Sequence, residues 1–297
     1  MQAAAKRDRH IQFYLEKIEA VPSLPTIVME LITLVDNPMA SVSQIEDLMK
    51  KDQGLTLRAL RLANSAFYSI PGGCTSLGRA ITFLGCNTVK QLVVSAAVCD
   101  VFKNLKSENF DVNDFWRHSV VTAIIAQTLA KHLDSVMADE VFICGLIHDI
   151  GKLVLLMVDT ESVEKTYALA RQKGLNSVQA EIEGHFPSHS HWGQVITEKW
   201  QLPILLQAAV KDHHSPRQAL RMSPDPEINF VVDLVLLANQ LAHSTGFGNS
   251  GYDVKLNLDR EVMARVGLSI EHRNEWFEKI KEEVSHAEAF SKLLTGN

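Results

Sequence analysis

The chain has 297 residues and a mass of 33.1 kDa, enough for one large domain or two ordinary ones. Hydrophobic residues make up 46% and charged residues 22%, which excludes disorder, and 15 Gly with 9 Pro are too few for an all-β fold with its frequent tight turns. The net charge is −6, and because the first 115 residues hold 12 of each sign, the acid excess lies downstream and neither half carries the basic field of a non-specific nucleic-acid binder.

The opening residues, MQAAAKRDRH, lack the apolar core of a signal peptide, and no uncharged run approaches the roughly 18 residues of a membrane span. The expectation is a soluble cytoplasmic protein with no membrane partner. Apolar residues then recur at helical spacing through Leu24, Ile27, Val28, Leu31, Ile32 and Val35, closed by Asn37-Pro38. Ser43 and Glu46 read as a capping box that opens a second helix through Met49. A third helix is expected over 55–68, and a fourth over 76–85 with Gly85 as its C-cap; 88–102 reads as a buried helix. The polar stretch 106–114 divides the chain into an N-terminal lobe, 1–114, and a second lobe with a C-terminal helical extension, 115–297.

In the second lobe the pattern predicts helices over 115–133 and 139–157, then 162–173 stopped by Gly174. Further helices are expected from Pro187-Ser188 to Trp200, and from Leu202-Pro203 to the run His213-His214-Ser215-Pro216. A long apolar helix over 228–243 and a charged, solvent-facing terminal helix over 271–294 complete the set. Residues 252–258 alternate like a strand, but a lone strand leaves its backbone groups unpaired, so an extended connection is expected. The fold class is all-α, in two helical lobes. Cys74, Cys86, Cys99 and Cys144 form no C-x-x-C pair or zinc spacing and read as reduced thiols.

Gly246-Phe-Gly248-Asn-Ser-Gly251 spells G-x-G-x-x-G, but a helix precedes it and an extended piece follows, so it reads as a flexible loop rather than a dinucleotide site. The histidines carry more. His148 and Asp149 sit inside an apolar helix, where a charged carboxylate needs a compensating cation or hydrogen-bond donors. A divalent metal held by imidazole and carboxylate is one compensator, with His118, His189 and His213 on other helices as candidate ligands. A satisfied polar core is the other: His118 could bond Asp149, and Lys152 could pair with it at i, i+3.

The segment Gly145-Leu-Ile-His148-Asp149-Ile-Gly151-Lys152 resembles the signature of the HD superfamily of metal-dependent phosphohydrolases. The chain is more narrowly similar to the HDOD domain of bacterial signalling proteins. That likeness rests on Leu24-Pro25, Lys51-Asp52-Gln-Gly-Leu55, Leu60-Arg-Leu-Ala-Asn64-Ser65-Ala-Phe67-Tyr68 and Ala80-Ile-Thr-Phe-Leu-Gly85. It continues through Phe115-Trp-Arg-His118-Ser119, His189-Ser-His-Trp-Gly193, Trp200-Gln-Leu-Pro203 and His213-His214, so it covers residues 20–245. The resemblance implies a first metal at His118, His148 and Asp149, with an amide, Asn239, where the family has a carboxylate. It implies His189 and His213 for a second metal. One or two divalent ions (Fe, Mn, Zn or Mg), weakly held, are thus expected, with His185 and His191 as conceivable substitute ligands.

If the site is active, Asp149 and Lys152 would carry catalysis, Lys152 meeting phosphate charge. The resemblance does not extend to the cyclic-dinucleotide hydrolases of the HD-GYP branch of that superfamily, whose acidic and Gly-Tyr-Pro elements are absent after His213-His214, where the sequence reads SPRQAL. The resemblance implies a regulatory module, non-catalytic or weakly catalytic, that binds a protein partner in a signalling pathway. Asn64, Ser65, Phe67 and Tyr68 are candidates for lining its binding surface, or else an interlobe packing segment. The alternative is an active phosphohydrolase acting on a nucleotide or another small phosphorylated ligand.

Overall fold

The structure, a computed structural model, describes residues 16–185, 188–251 and 257–296. Among the described residues, a short helical stretch at 16–18 precedes fifteen α-helices and one 3-10 turn, Gln218–Leu220, and no strand occurs. Residues 252–256 of the expected extended connection, and Pro187 at an expected helix start, lie outside the described residues.

The first lobe holds α1 (Thr26–Val35), α2 (Val42–Met49), α3 (Gln53–Ala63) and α4 (Leu77–Phe102). The capping box at α2 is formed by Ser41 and Gln44, not by Ser43 and Glu46. Ser41 accepts from the Gln44 amide and Gln44 Oε1 accepts from the Ser41 amide at 2.8 Å, while Glu46 turns away to accept from the Gly78 amide at 2.8 Å. Glu46 therefore ties α2 to the start of α4. Helix α3 stops at Ala63, five residues before its expected end. Asn64 leaves the helix to brace a loop, donating to the Cys74 carbonyl at 2.8 Å and accepting from its amide at 2.6 Å. Gly85 breaks the helix where expected, but the chain re-enters helix at once, so α4 is one kinked helix with Gly85 at φ 85°.

The second lobe is built on α5 (Val112–His132), packed by α6 (Ala138–Ile147) and α12 (Pro226–Thr245). The expected helix 139–157 is two helices, α6 and α7 (Ile150–Val158), broken at His148-Asp149. The break has a local cause. The His148 ring holds the Gly145 carbonyl through Nδ1 at 2.7 Å, an acceptor that an uninterrupted helix would offer to the Asp149 amide. Then come α8 (Thr160–Lys173), ended by Gly174 in the left-handed region, α9 (Ser177–Glu183), α10 (His189–Lys199) and α11 (Ile204–Asp212). Helix α9 and the short α13 (Arg260–Val266) were not expected from the sequence. Two segments are apolar and long enough by composition to span a membrane, Leu77–Phe102 and Ala138–Val158, but 67% and 94% of their most apolar windows are buried in this fold.

The terminal segment differs from its expectation of one solvent-facing helix. It is two helices, α14 (Arg273–Val284) and α15 (Ala287–Thr295), and both pack on α5. Trp276 and Phe290 are among the largest fully buried side chains in the protein. The acidic and basic residues that dominate this stretch occupy the outer face and hid its inner one. Phe290 sits against Phe142, Phe67 and Tyr68, with ring centroids 5.9, 5.8 and 6.3 Å away. Phe290→Ala should therefore cost about 3–5 kcal/mol of unfolding free energy, read from urea denaturation. A loss under about 1 kcal/mol would show that the terminal helix is not part of the core.

Candidate metal centre

Five elements bring the predicted residues together: His118 from α5, His148-Asp149 from the α6–α7 break, His189 from the start of α10, His213 after α11, and Asn239 from α12. Helices α7 and α10 touch backbone to backbone there. A Cβ on Gly151 would stand 1.8 Å from the His189 carbonyl oxygen and 2.6 Å from the Gly193 amide nitrogen. Only glycine at 151 lets His189 approach Asp149. His118, His148, Asp149, Lys152 and His189 are all completely buried.

Three imidazoles are oriented the same way. Nδ1 of His148 faces the Gly145 carbonyl at 2.7 Å, Nδ1 of His213 the Val210 carbonyl at 2.9 Å, and Nδ1 of His189 the Glu181 carboxylate at 2.6 Å. Each acceptor favours a proton on Nδ1 and turns Nε2 toward the centre, the orientation of a metal-ligating histidine with its outer partner in place. Those Nε2 atoms converge. Asp149 Oδ1 lies 3.2 Å from His189 Nε2 and 3.3 Å from His213 Nε2. His189 Nε2 is in turn 3.3 Å from His213 Nε2 and 3.2 Å from His214 Nε2. Ligands held about 2.1 Å from one ion stand roughly 3.0–3.4 Å apart, so this spacing is that of a coordination shell. Neither Asp149 Oδ1 nor His148 Nε2 has an aligned hydrogen-bond donor. The donor set fits a divalent cation.

The other oxygen of Asp149 is differently engaged. Lys152 Nζ donates to Oδ2 at 2.7 Å and to Ser250 Oγ at 3.1 Å, the i, i+3 pairing expected as one form of a satisfied core. His148 Nε2 lies 3.3 Å from the same Oδ2. His118 makes no hydrogen bond to Asp149, its Nε2 facing Asn239 Oδ1 at 3.0 Å, but ligand atoms of His118, His148 and Asp149 lie within 4.8 Å of one another, so the residues expected for a first metal are brought together. Asn239 therefore lies beside His118. The structure adds Glu181, which orients His189, as well as His214 and Ser250. Only the doubled His213-His214 could have announced one of these; Glu181 and Ser250 are ordinary polar residues brought in by the fold. His185 and His191 are exposed and do not substitute as ligands.

Ser250 corrects the reading of the glycine-rich segment as a flexible loop. Gly248 has φ 78°, and a Cβ there would stand 2.3 Å from the His118 amide nitrogen. With the Asn249 amide donating to the Asp114 carbonyl at 3.0 Å, the segment is a strap laid tightly over α5. Its glycines permit that contact and deliver Ser250 to Lys152. Asn64, Ser65, Phe67 and Tyr68 lie away from this centre. Asn64 braces its loop, Ser65 is buried, and Phe67 and Tyr68 pack into the aromatic cluster around Phe290.

Charge follows the same geometry. Burial opposes ionisation of Asp149, but the Lys152 ammonium and the His148 ring beside it hold its carboxyl well below the usual range. Burial pushes His118 and His214 well below the ordinary imidazole range, His213 to about 4 and His243 to about 3. His189 moves up, because Glu181 and Asp149 outweigh its burial. A cavity of about 290 Å³ is lined by His213, His214 and Asn239 together with Asn176 and Asp259.

The profile of the HDOD domain matches residues 21–216. This chain belongs to the HDOD domain family. An uncharacterized protein of Treponema pallidum is 23% identical over 206 residues, covering 67% of this chain and 39% of that protein's length. The fold is shared with an HDOD domain protein of unknown function from Geobacter sulfurreducens, with TM-score 0.79 and 22% identity over 96% of this chain and 98% of that one. It is also shared with a candidate phosphohydrolase from Shewanella amazonensis, with TM-score 0.72 and 23% identity over 95% and 98% of the two chains. A candidate signal transduction protein from Marinobacter aquaeolei gives TM-score 0.80 and 21% identity over 99% of this chain and 66% of that one.

The lowered histidines tie stability of the metal-free protein to pH. A base whose pKa falls on folding is protonated first in the unfolded chain, so stability is lost as pH drops from about 6.5 toward the folded value. With His213 near 4 and His243 near 3, each should cost on the order of 2 kcal/mol between pH 7.5 and pH 5. Urea midpoints measured in chelator across that range should fall steadily. A flat profile would show that these rings are not buried neutral in the native state.

Proposed function

We propose that this HDOD protein is a regulatory module of a bacterial signalling pathway, acting in the cytoplasm by engaging a protein partner. It would hold at most one divalent ion, with no hydrolytic turnover. The observation that carries this reading is the 2.7 Å contact between Lys152 Nζ and Asp149 Oδ2. The ammonium stands on the side of Asp149 that faces His148, where the family's first metal would draw its negative charge. Asn239, a neutral amide, supplies none in its place. That half of the site is neutralised from within.

The other half keeps Asp149 Oδ1, His189, His213 and His214 for a single ion. Three imidazoles with one carboxylate favour Zn, Fe or Mn over Mg, whose preferred ligands are oxygens. A divalent ion held by these residues would supply Lewis acidity. The chain's own residues do the rest of the holding: Glu181 orients His189, the Val210 carbonyl orients His213, and Lys152 pins Asp149.

A second reading, a metal-dependent phosphohydrolase, is favoured by the cavity that opens on His213, His214 and Asn239 and could admit a small phosphorylated ligand. Turnover separates the two. The Mn²⁺-saturated protein is incubated with p-nitrophenyl phosphate and with bis(p-nitrophenyl) phosphate, beside Asp149→Ala. The expected rates are equal in the two proteins and at background. Hydrolysis by the wild type that Asp149→Ala abolishes would establish the phosphohydrolase.

A further inference from the structure

A second cavity, of about 210 Å³ and open to solvent on one side, lies between the lobes and away from the metal centre, lined by α1, α4, α6 and the first turn of α11. Its walls are Ile32, Val94, Ile143 and Leu206, and its polar groups are Asp36, Lys90 and Glu140. Lys90 is almost fully buried, and its ammonium is already answered by Asp36 Oδ1 at 2.7 Å. Glu140 is half-buried and forms no ion pair among the described residues. The cavity therefore presents a carboxylate without a cation against an apolar wall.

We propose that this interlobe cavity binds a small amphipathic amine, its apolar body among Ile32, Val94, Ile143 and Leu206 and its ammonium on Glu140. The charge count selects the cation: two carboxylates face one ammonium, and a bound anion would meet Glu140 uncompensated. The volume selects the size. An apolar protein cavity of about 150 Å³ holds benzene, so about 210 Å³ holds one ring with a short chain.

The position gives such a ligand a route to the metal centre. Ile143 lies on α6 about 7.5 Å, along the helix axis, before His148. Leu206 lies on α11, which runs directly into His213 and His214. An occupant would brace both helices against the first lobe. The proposal does not depend on whether the centre holds a metal.

The test uses the full chain with methyl-labelled Ile and Val, titrated with phenethylamine, 2-phenylethanol and 3-phenylpropionate and followed by NMR. Phenethylamine should shift the Ile32, Val94 and Ile143 methyls saturably with a Kd on the order of 1 mM. The alcohol should bind at least about threefold more weakly, and the acid more weakly still. Glu140→Gln should remove the preference for the amine while leaving alcohol binding unchanged. Ile143→Met, which keeps the volume close to native, should retain both. Three probes of equal affinity, shifts elsewhere in the molecule, no saturable shift, or an amine preference that survives Glu140→Gln would each overturn the proposal.

Discussion

A single buried carboxylate organises the second lobe. Asp149 is fully enclosed, so its charge must be answered from within the protein. One oxygen is answered by Lys152, which is itself steadied by Ser250. The other faces imidazole Nε2 atoms, the far side of each ring being held by its own acceptor. Much of the local architecture follows from keeping these groups in contact. The helix breaks at His148-Asp149, α7 and α10 meet at Gly151, and the glycine strap crosses α5 at Gly248. Each would be a defect in a purely apolar bundle.

The two faces of Asp149 answer different questions. The face toward Lys152 is electrically complete, with the ammonium donating to Oδ2. The face toward His189, His213 and His214 is not complete without a proton or a cation. A proton on His189 relieves part of the conflict, in keeping with the upward shift of that ring. A divalent ion relieves all of it, and its binding would release that proton.

The fold class was legible in the sequence because helical periodicity ran nearly the whole length of the chain, and the principal helices of both lobes lie close to where that pattern placed them. What escaped was set by tertiary contact. The break at His148 depends on a side chain capturing the Gly145 carbonyl, which periodicity does not register. The capping box at Ser41 lost to Ser43 in the sequence reading because both serines stand three residues before an eligible partner. The terminal helices looked solvated since their charges outnumber the few large residues, Trp276 and Phe290, that anchor them. At the centre, the residues with distinctive chemistry were visible, namely His118, His148, Asp149, His189 and His213. Glu181 and Ser250 were not, being ordinary polar residues that only the fold carries to the site.

The central claim is that Asp149, His189, His213 and His214 form a preshaped site for one cation. The most direct measurement is a Co²⁺ titration of the untagged, chelator-treated protein, followed by its visible ligand-field absorption. The account predicts saturation at one equivalent, with a spectrum of nitrogen and oxygen ligation, and weaker binding in His214→Ala. No ligand-field band at millimolar Co²⁺, or equal binding by Asp149→Ala and the wild type, would contradict it.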